Sequence, residues 1–232
     1  MYRRIPTCIF IVCLFLSAGP SPAADPATQG RALGEGFSEG FEDIGELVFR
    51  GWVTINNSQP LGLTAWGQGR PNEFPAHQGP DDSYILANFQ NTDAGGTISN
   101  WLLTPEIELR NGTRVEFWTR STADDAFPDR LEVRLSTSGD SVDVGLTELS
   151  VGDFDRLLLS INPELTGTYP SVWTRYSLQL TGMSPAATGR VAFRYFVTNS
   201  GPGGANGDLI GIDTFSIEQP IFTDRFETVE SR

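Results

Sequence analysis

Residues 206–218, NGDLIGIDTFSIE, place a carboxylate within a pattern typical of a β-strand. Side chains alternate between the two faces of a strand, so regular alternation puts Asp213 on one face with Phe215 and Ile217. If that face is the core, the charge needs a partner, because an isolated buried carboxylate is strongly unfavourable. A cation, an arginine or several turn amides could supply the compensation. Asp213 is therefore the first candidate for a binding site.

The sequence lacks the residues that most catalytic mechanisms need. His77 is the only histidine, and both cysteines, Cys8 and Cys13, lie within the first 24 residues. One histidine without a cysteine cannot build a standard zinc site. No Gly-x-Ser-x-Gly elbow is predicted between a strand and a helix, so a hydrolase triad has no signature. A glycosidase with two carboxylates remains an alternative, although no pair stands out among the 29 acidic residues.

Two acidic segments are explained without a ligand. Residues 140–145, DSVDVG, hint at an EF-hand loop but lack an acid or asparagine at the third position and any flanking helix. Asp124, Asp125 and Asp129 predict a charged, solvated turn between two strands, with a weak surface calcium site as the alternative.

The chain is organised as a targeting segment followed by one domain. Residues 1–24 combine two arginines, a short apolar run and small residues before the predicted cleavage point, which is the layout of a secretory signal peptide. The apolar run is too short to span a bilayer comfortably. We therefore expect a secreted protein, extracellular or at the cell surface, without membrane insertion. The predicted parts are a flexible leader at 25–36, a domain at 37–219 and a tail at 220–232.

The charge of the chain is strongly acidic. The full chain carries a formal charge of −13, and it contains no lysine. The two arginines of the targeting segment have no acidic counterpart there, so the remaining chain is more acidic still. This charge disfavours nucleic acid as a partner and favours divalent cations. Solubility alone is also a sufficient explanation of an acidic surface.

Short segments with a period of two residues predict an all-β protein. Segment 131–137 places Leu131, Val133 and Leu135 on one face of a strand, and segment 191–197 alternates in the same way. About nine such segments occur, separated by Gly and Pro turns, and no window has a convincing helical period. We predict one jelly-roll β-sandwich of about nine antiparallel strands.

Two long connections interrupt this pattern. Residues 56–82 are rich in Gly, Pro, Asn and Gln, and residues 138–172 include a predicted short helix or turn near 153–159. Long loops on a rigid sandwich commonly carry binding sites, although they can also simply cover its open ends. Trp52 and Trp101 are predicted to belong to the core.

Several short motifs follow one another in a characteristic order: Phe41-Glu42, Gly51-Trp52, Phe74-Pro75-Ala76-His77, Ser83-Tyr84-Ile85, Ala87-Asn88-Phe89, residues 100–105, residues 115–118, residues 131–137, Trp173 with Tyr176, and Gly211-Ile212-Asp213. In this order they resemble the choice-of-anchor J or cleaved-adhesin domains of exported bacterial proteins, which are distantly similar to MAM domains. The resemblance covers roughly residues 37 to 218. It implies a jelly-roll sandwich and a non-catalytic adhesin module stabilised by calcium.

The resemblance also implies the calcium ligands. In such domains an acid of the first strand and an acid of the last strand lie side by side. Glu42 and Asp213 are the corresponding residues in this sequence. Asp43 with its following loop, Asn88 and Asp82 are the additional candidates. Calcium takes six to eight oxygen ligands, so a site of this kind would answer how Asp213 is compensated. An arginine or turn amides remain the alternatives.

The predicted role is adhesion or recognition of a glycan or an extracellular protein. Sugar rings stack on exposed aromatic side chains beside polar groups. Trp66, Phe74 and Trp118 are the candidate ligand-binding residues, since two lie in the long loop and Trp118 has the opposite parity to Phe117. Each could instead anchor a loop or fill the core. The alternatives to recognition are a carbohydrate-active enzyme and a purely structural extracellular protein.

Overall fold

The computed structural model of the chain describes residues 32–123, 126–166 and 169–220. The predicted signal peptide, most of the predicted leader and the tail beyond Pro220 lie outside the described residues, as do Asp124 and Asp125. Within the described residues, no helix is long and apolar enough to cross a membrane.

Thirteen strands and two short 3-10 helices make up the described structure. The helices are Ile44–Arg50 and Phe89–Asn91. The strands are β1 Phe37–Glu39, β2 Val53–Asn56, β3 Gln59–Leu61, β4 Gly67–Gln68, β5 Ile85–Asn88, β6 Thr92–Leu103, β7 Ile107–Leu109, β8 Arg114–Ser121, β9 Leu131–Ser136, β10 Arg156–Ile161, β11 Thr174–Gln179, β12 Ala187–Ser200 and β13 Leu209–Glu218.

The strands form two antiparallel sheets. Sheet A has the order β11-β8-β13-β5-β4, with β1 also paired to β13. Sheet B has the order β10-β9-β12-β6-β2, with β3 paired to β6 and β7 paired to β12. The predicted all-β sandwich is confirmed. Of the predicted helix or turn near 153–159, a turn is present at 152–153, and the rest of the segment is strand, because β10 begins at Arg156 and pairs with β9.

The main core lies between the two sheets. Phe193 of sheet B packs edge-to-face on Phe117 and Phe215 of sheet A, with ring centroids 4.9 and 5.8 Å apart. Trp52 closes one side of this core and lies 5.3 Å from the Phe215 ring. The prediction that Trp52 is a core residue is confirmed. Burial of these large aromatic surfaces is the main favourable contribution to folding in a chain whose domain has no cysteine.

The two long connections also cover the outer faces of the sheets. On sheet A, Phe74 from the first connection packs with Tyr84, Leu86 and Leu209. On sheet B, Val144 and Phe154 from the second connection pack over Trp101, Leu103 and Ala192. Trp101 is fully buried as predicted, but beneath this loop rather than between the sheets. Strands such as β5 are consequently buried on both faces.

Candidate functional site

Asp213 lies at an irregularity in β13 that reverses the expected side-chain alternation. The register between β13 and β8 shifts between Asp213 and Ser216, and Thr214 has a φ of 49°. Ile212 and Phe215 both belong to the core between the sheets. A Cβ at Gly211 would meet Phe74 and Trp173 on the outer face of sheet A. The predicted common face of Asp213, Phe215 and Ile217 is therefore wrong, since the extra residue of a β-bulge changes the parity.

Backbone amides compensate the Asp213 carboxylate. Its Oδ2 accepts hydrogen bonds from the N–H groups of His77 at 2.8 Å and Gln78 at 3.1 Å. Its Oδ1 accepts one from the N–H of Thr214. Burial raises the pKa of Asp213 above its usual value, and these three amide bonds oppose that increase. Turn amides, one of the alternatives considered from the sequence, are thus the observed partners.

Asn88, one of the other implied calcium ligands, lies away from Asp213. Asn88 pairs with Leu209, four residues from Asp213 along β13 and therefore about 13 Å away. The Asn88 side-chain oxygen accepts from Thr64 Oγ1 and from the N–H of Gln90, both at 2.9 Å. Asn88 and Asp213 cannot share one ion at this separation.

The remaining implied ligands have local roles or face solvent. Asp43 caps the first 3-10 helix, because its Oδ1 accepts from the N–H of Gly45 at 2.8 Å. Glu42 and Asp82 are exposed. Within the described ranges, no three His, Cys, Asp or Glu side chains form a group that could hold a metal ion. Glu42 lines a depression together with Gln78 and Thr214, whose N–H groups donate to Asp213. Calcium binding stays a prediction.

The three predicted ligand-binding aromatics occupy different environments. Trp66 and Phe74 are buried, so neither offers an open ring face to a sugar. The Phe74 ring stacks on Tyr84 with centroids 5.0 Å apart. The Arg120 guanidinium carbon lies 4.3 Å from the centroid of the Phe74 ring. These contacts attach the loop to sheet A, which was the alternative role for such residues.

Trp118 is partly exposed on the outer face of sheet A. The His77 ring stacks on it, with centroids 3.7 Å apart and an interplanar angle of 18°. His77 is itself fixed, because its Nδ1 lies 2.9 Å from Thr214 Oγ1 and its N–H donates to Asp213. The bulge of β13 thereby holds the loop against Trp118, whose position is set by the pairing of β8 with β13.

Next to Trp118 the outer face of sheet A carries a polar surface, which we call the open face. It is a shallow depression of about 450 Å³ lined by Arg114, Glu116, Arg175, Ser177 and Gln179. Register explains the grouping, because Trp118 pairs with Arg175 and Glu116 pairs with Ser177. Side chains directly opposite on two antiparallel strands lie on the same face.

Glu116 organises the polar groups of the open face. Its Oε1 accepts from Arg175 Nη2 at 2.6 Å and from Ser177 Oγ at 2.9 Å, and Arg114 Nη1 lies at 3.5 Å. Partial burial favours a higher pKa for Glu116. The hydrogen bonds from Ser177 and Arg175 together with the nearby positive charges outweigh it, and the pKa is lowered. Glu116 is therefore ionised at neutral pH and fixes two exposed guanidinium groups.

The sequence did not identify the residues of the open face as a group. Residues 115–120 and 176–180 were each predicted as strands, and alternation assigns Glu116 and Ser177 to the faces opposite Phe117 and Tyr176. Their pairing joins segments about 60 residues apart, as the Ser177–Glu116 hydrogen bond shows. Nothing local in the sequence specifies such a pairing.

The structure shows the environment of two further residues considered from the sequence, Asp129 and Ser38. Asp129, predicted in a solvated turn, is buried, and its Oδ1 accepts from the Tyr195 hydroxyl at 2.5 Å. Residues 36–40 match the pattern Gly-x-Ser-x-Gly, but Ser38 lies within β1 and pairs with Ser216. This geometry is not a turn from a strand into a helix, so Ser38 is not placed as the nucleophile of an α/β-hydrolase.

Comparison with known proteins supports the architecture. No family model matches the sequence, and no curated protein matches it. Among solved structures, the K1 cleaved adhesin domain of Lys-gingipain from Porphyromonas gingivalis W83 is similar, with a TM-score of 0.56, 22% identity and coverage of 81% of this chain and 100% of that chain. The K3 domain of the same protein gives a TM-score of 0.52, 23% identity and coverage of 79% and 96%. The K2 domain gives a TM-score of 0.51, 19% identity and coverage of 80% of this chain and 98% of that chain. This chain therefore has a cleaved-adhesin-like fold.

Proposed function

We propose that the chain is a secreted, non-catalytic recognition domain that binds glycan through the open face. The observation that carries the proposal is the polar surface around Glu116 beside the partly exposed Trp118. The similar folds in Lys-gingipain are called adhesin domains, which agrees with a role in recognition. The fold alone does not specify a ligand, so the argument rests on the side chains.

The open face offers the groups that sugars require. Arg114 and Arg175 present guanidinium donors, and their side chains are 53% and 52% exposed. Glu116 and Gln179 add acceptors, so vicinal hydroxyl groups can donate and accept at neighbouring positions. Trp118 lies next to these groups; the His77 ring covers one face of its indole, and the remaining exposed part of the ring is the aromatic surface available to a sugar. Because Glu116 already orients Arg175, little side-chain freedom is lost when a ligand binds.

The charges of these groups argue against hydrolysis at the open face. A glycosidase needs one carboxylic acid with a raised pKa as proton donor. The pKa of Glu116 is lowered instead. Burial raises the pKa of Asp129 to about 7, but this side chain is enclosed and hydrogen-bonded to Tyr195. Neither carboxyl group has the environment of a catalytic acid in a cleft.

The test is glycan-array screening of residues 25–232, followed by calorimetry with the best ligand. We expect Trp118→Ala and Arg175→Ala to weaken binding by about tenfold or more, which corresponds to roughly 1.4 kcal/mol. Arg110→Ala is the matched control, because Arg110 forms a partly exposed ion pair with Glu108 and does not line the open face. Absence of any glycan ligand, or equal binding by all three variants, would refute the proposal.

A further inference from the structure

Two segments of the chain share one short sequence pattern. Residues 37–42, which begin with β1, read FSEGFE, and residues 222–227 read FTDRFE. Three of the six positions are identical, and the exchanges of Ser for Thr and of Glu for Asp keep the same polar group at two others. No other two of the 15 phenylalanines are spaced four residues apart. Residues 222–227, which we call the tail segment, are therefore a second version of the β1 sequence, although they lie outside the described residues.

The two phenylalanines of the pattern attach β1 to the core. The Phe37 ring lies 6.2 Å from the Trp52 ring and 5.5 Å from the Phe215 ring, measured between centroids. Phe41 is fully buried, and its ring lies 5.5 Å from that of Trp52. Phe222 and Phe226 have the same spacing in the tail segment. A strand that replaces β1 therefore needs an aromatic ring at both positions, and the tail segment has them.

The acid of the pattern is also required at this position. Glu39 is only 5% exposed, and both of its carboxylate oxygens accept from Arg50 Nη1 at 3.0 Å. Its Oε1 also accepts from the N–H of Phe41 at 3.0 Å. Asp224 is the equivalent acid of the tail segment and carries the same carboxylate on a side chain one methylene group shorter. The tail segment thus brings a carboxylate to Arg50, which an arbitrary apolar strand does not.

The register of β13 allows the tail segment to reach the place of β1. Both β1 and β8 pair with Ser216 and Ile217, so they lie on opposite edges of β13. In β1, Phe37 is opposite Ile217. If Phe222 takes that position, residues 218–221 form a hairpin loop of four residues, which is a common length. The tail segment then runs antiparallel to β13, as β1 does.

We propose that the edge of β13 at residues 215–217 binds the tail segment of the same chain in exchange for β1. The two strands compete for one set of backbone partners and one set of aromatic contacts, so β1 leaves the sheet when the tail segment enters it. Both strands belong to the chain that carries β13, so the exchange does not depend on protein concentration. The inference concerns a different part of sheet A from the open face and is independent of glycan binding.

Competition between two disulfides tests the exchange. Ser38 is opposite Ser216 in the structure, and Thr223 would take the place of Ser38 in the exchanged form. Directly opposed residues of antiparallel strands are close enough for a disulfide. Residues 25–232 contain no native cysteine. In the variant Ser38→Cys, Ser216→Cys and Thr223→Cys, the thiol at position 216 links to one strand or the other, and mass spectrometry of proteolytic fragments gives the ratio.

We expect this variant to form both links. Adding Phe37→Ala weakens β1 and should raise the ratio of the link to position 223 over the link to position 38 by about tenfold. Phe222→Ala is the matched variant and should lower the same ratio by a similar factor. If Phe37→Ala does not fold, Phe222→Ala decides, because an unchanged ratio would overturn the proposal.

A positional control distinguishes a bound strand from a chain end that touches β13 at random. Thr228→Cys in place of Thr223→Cys puts the thiol beyond the tail segment. Links to position 228 as frequent as those to position 223 would overturn the proposal, and so would exclusive linkage to position 38 in Phe37→Ala. Links that join two chains would overturn the hairpin within one chain, because a second copy would then supply the strand.

Discussion

The Oδ2 atom of Asp213 accepts a hydrogen bond from the N–H of His77 at 2.8 Å, across 136 residues of sequence. This bond joins the bulge of the last strand to the loop that covers sheet A. The same loop residue stacks its ring on Trp118, at the border of the open face. Asp213 is therefore a positioning residue for the candidate glycan surface.

Replacement of Asp213 should destabilise the protein strongly. In Asp213→Ala, the N–H groups of His77, Gln78 and Thr214 lose their common acceptor. Unpaired buried amides cost about 1–3 kcal/mol each, less where water enters, so we expect a loss of roughly 2–4 kcal/mol in the free energy of unfolding. Urea denaturation measures it. Asp93→Ala is the control, since the exposed Asp93 side chain accepts, among the residues that the structure describes, only from the N–H of Ala94. Equal stability of the two variants would contradict the positioning role.

Calcium and a chelator test the compensation of Asp213 in another way. A bound ion that stabilises only the folded state adds about 2.7 kcal/mol at a hundredfold excess over its dissociation constant. If amides alone compensate Asp213, the thermal midpoint of metal-stripped protein remains unchanged on adding calcium. A rise of several degrees that Asp213→Ala abolishes would instead establish the calcium site that the family resemblance implies.

Regular alternation allowed the architecture to be predicted, and its interruption explains the main error. Leu131, Val133 and Leu135 share a buried face as their spacing requires. The same rule fails at Asp213, because Thr214 adopts a positive φ and inserts one residue into the ladder. Positive φ is uncommon for a β-branched residue, so the sequence contained no reason to expect a bulge there.

Local sequence patterns also could not predict which surfaces the long loops cover. Phe74 and Phe154 lie in connections rich in polar and turn-forming residues, yet each packs on the outer face of a sheet. The signal was present in the strands, since Ile85-Leu86-Ala87 is apolar without alternation and is buried on both faces. Which loop covers which face depends on contacts between distant segments. From the sequence, Phe74 was therefore a candidate for stacking on a sugar, whereas in the structure its side chain is buried.

The titration of Asp129 should make stability depend on pH. Burial raises its pKa to about 7 from a reference near 3.8, despite hydrogen bonds from Tyr195 and the N–H of Asp208. The folded state thus binds the proton more tightly than the unfolded state. This contribution to stability is fully present below about pH 4 and is lost as the pH rises through 7.

Asp129→Asn isolates that contribution because the asparagine stays neutral while keeping an acceptor oxygen. A pKa change of about three units corresponds to at most about 4 kcal/mol. We expect the free energy of unfolding of the variant, relative to wild type, to rise by about 2–4 kcal/mol between pH 4 and pH 8. Asp93→Asn should show no such trend. Parallel pH profiles for wild type and Asp129→Asn would show that Asp129 titrates normally.

Glu132 is the centre of a buried charge cluster on sheet B. Its Oε1 accepts from Arg130 at 2.5 Å, its Oε2 accepts from Arg134 at 2.6 Å, and Arg194 lies at 3.3 Å. Burial lowers the pKa of Arg194 to about 10, and Glu132 opposes this decrease. Arg194 also lies 3.8 Å from the Phe196 ring centroid and donates to the carbonyl of Glu148 in the covering loop. One carboxylate thus holds three guanidinium groups, and two of them, Arg194 and Arg134, donate to backbone carbonyls of this loop.

Removal of Glu132 should be much more costly than removal of an exposed acid. Glu132→Ala leaves three cations close together, one of them only 1% exposed, and we expect a loss of about 3–5 kcal/mol in the free energy of unfolding. Glu108→Ala breaks the pair with Arg110, whose side chain is 33% exposed, and should destabilise the protein much less, because solvent screens this pair. If Glu132→Ala does not fold, Glu132→Gln keeps the shape and should show an intermediate loss in guanidinium denaturation. Similar stability of the Glu132 and Glu108 variants would mean that solvent, rather than Glu132, compensates the arginines.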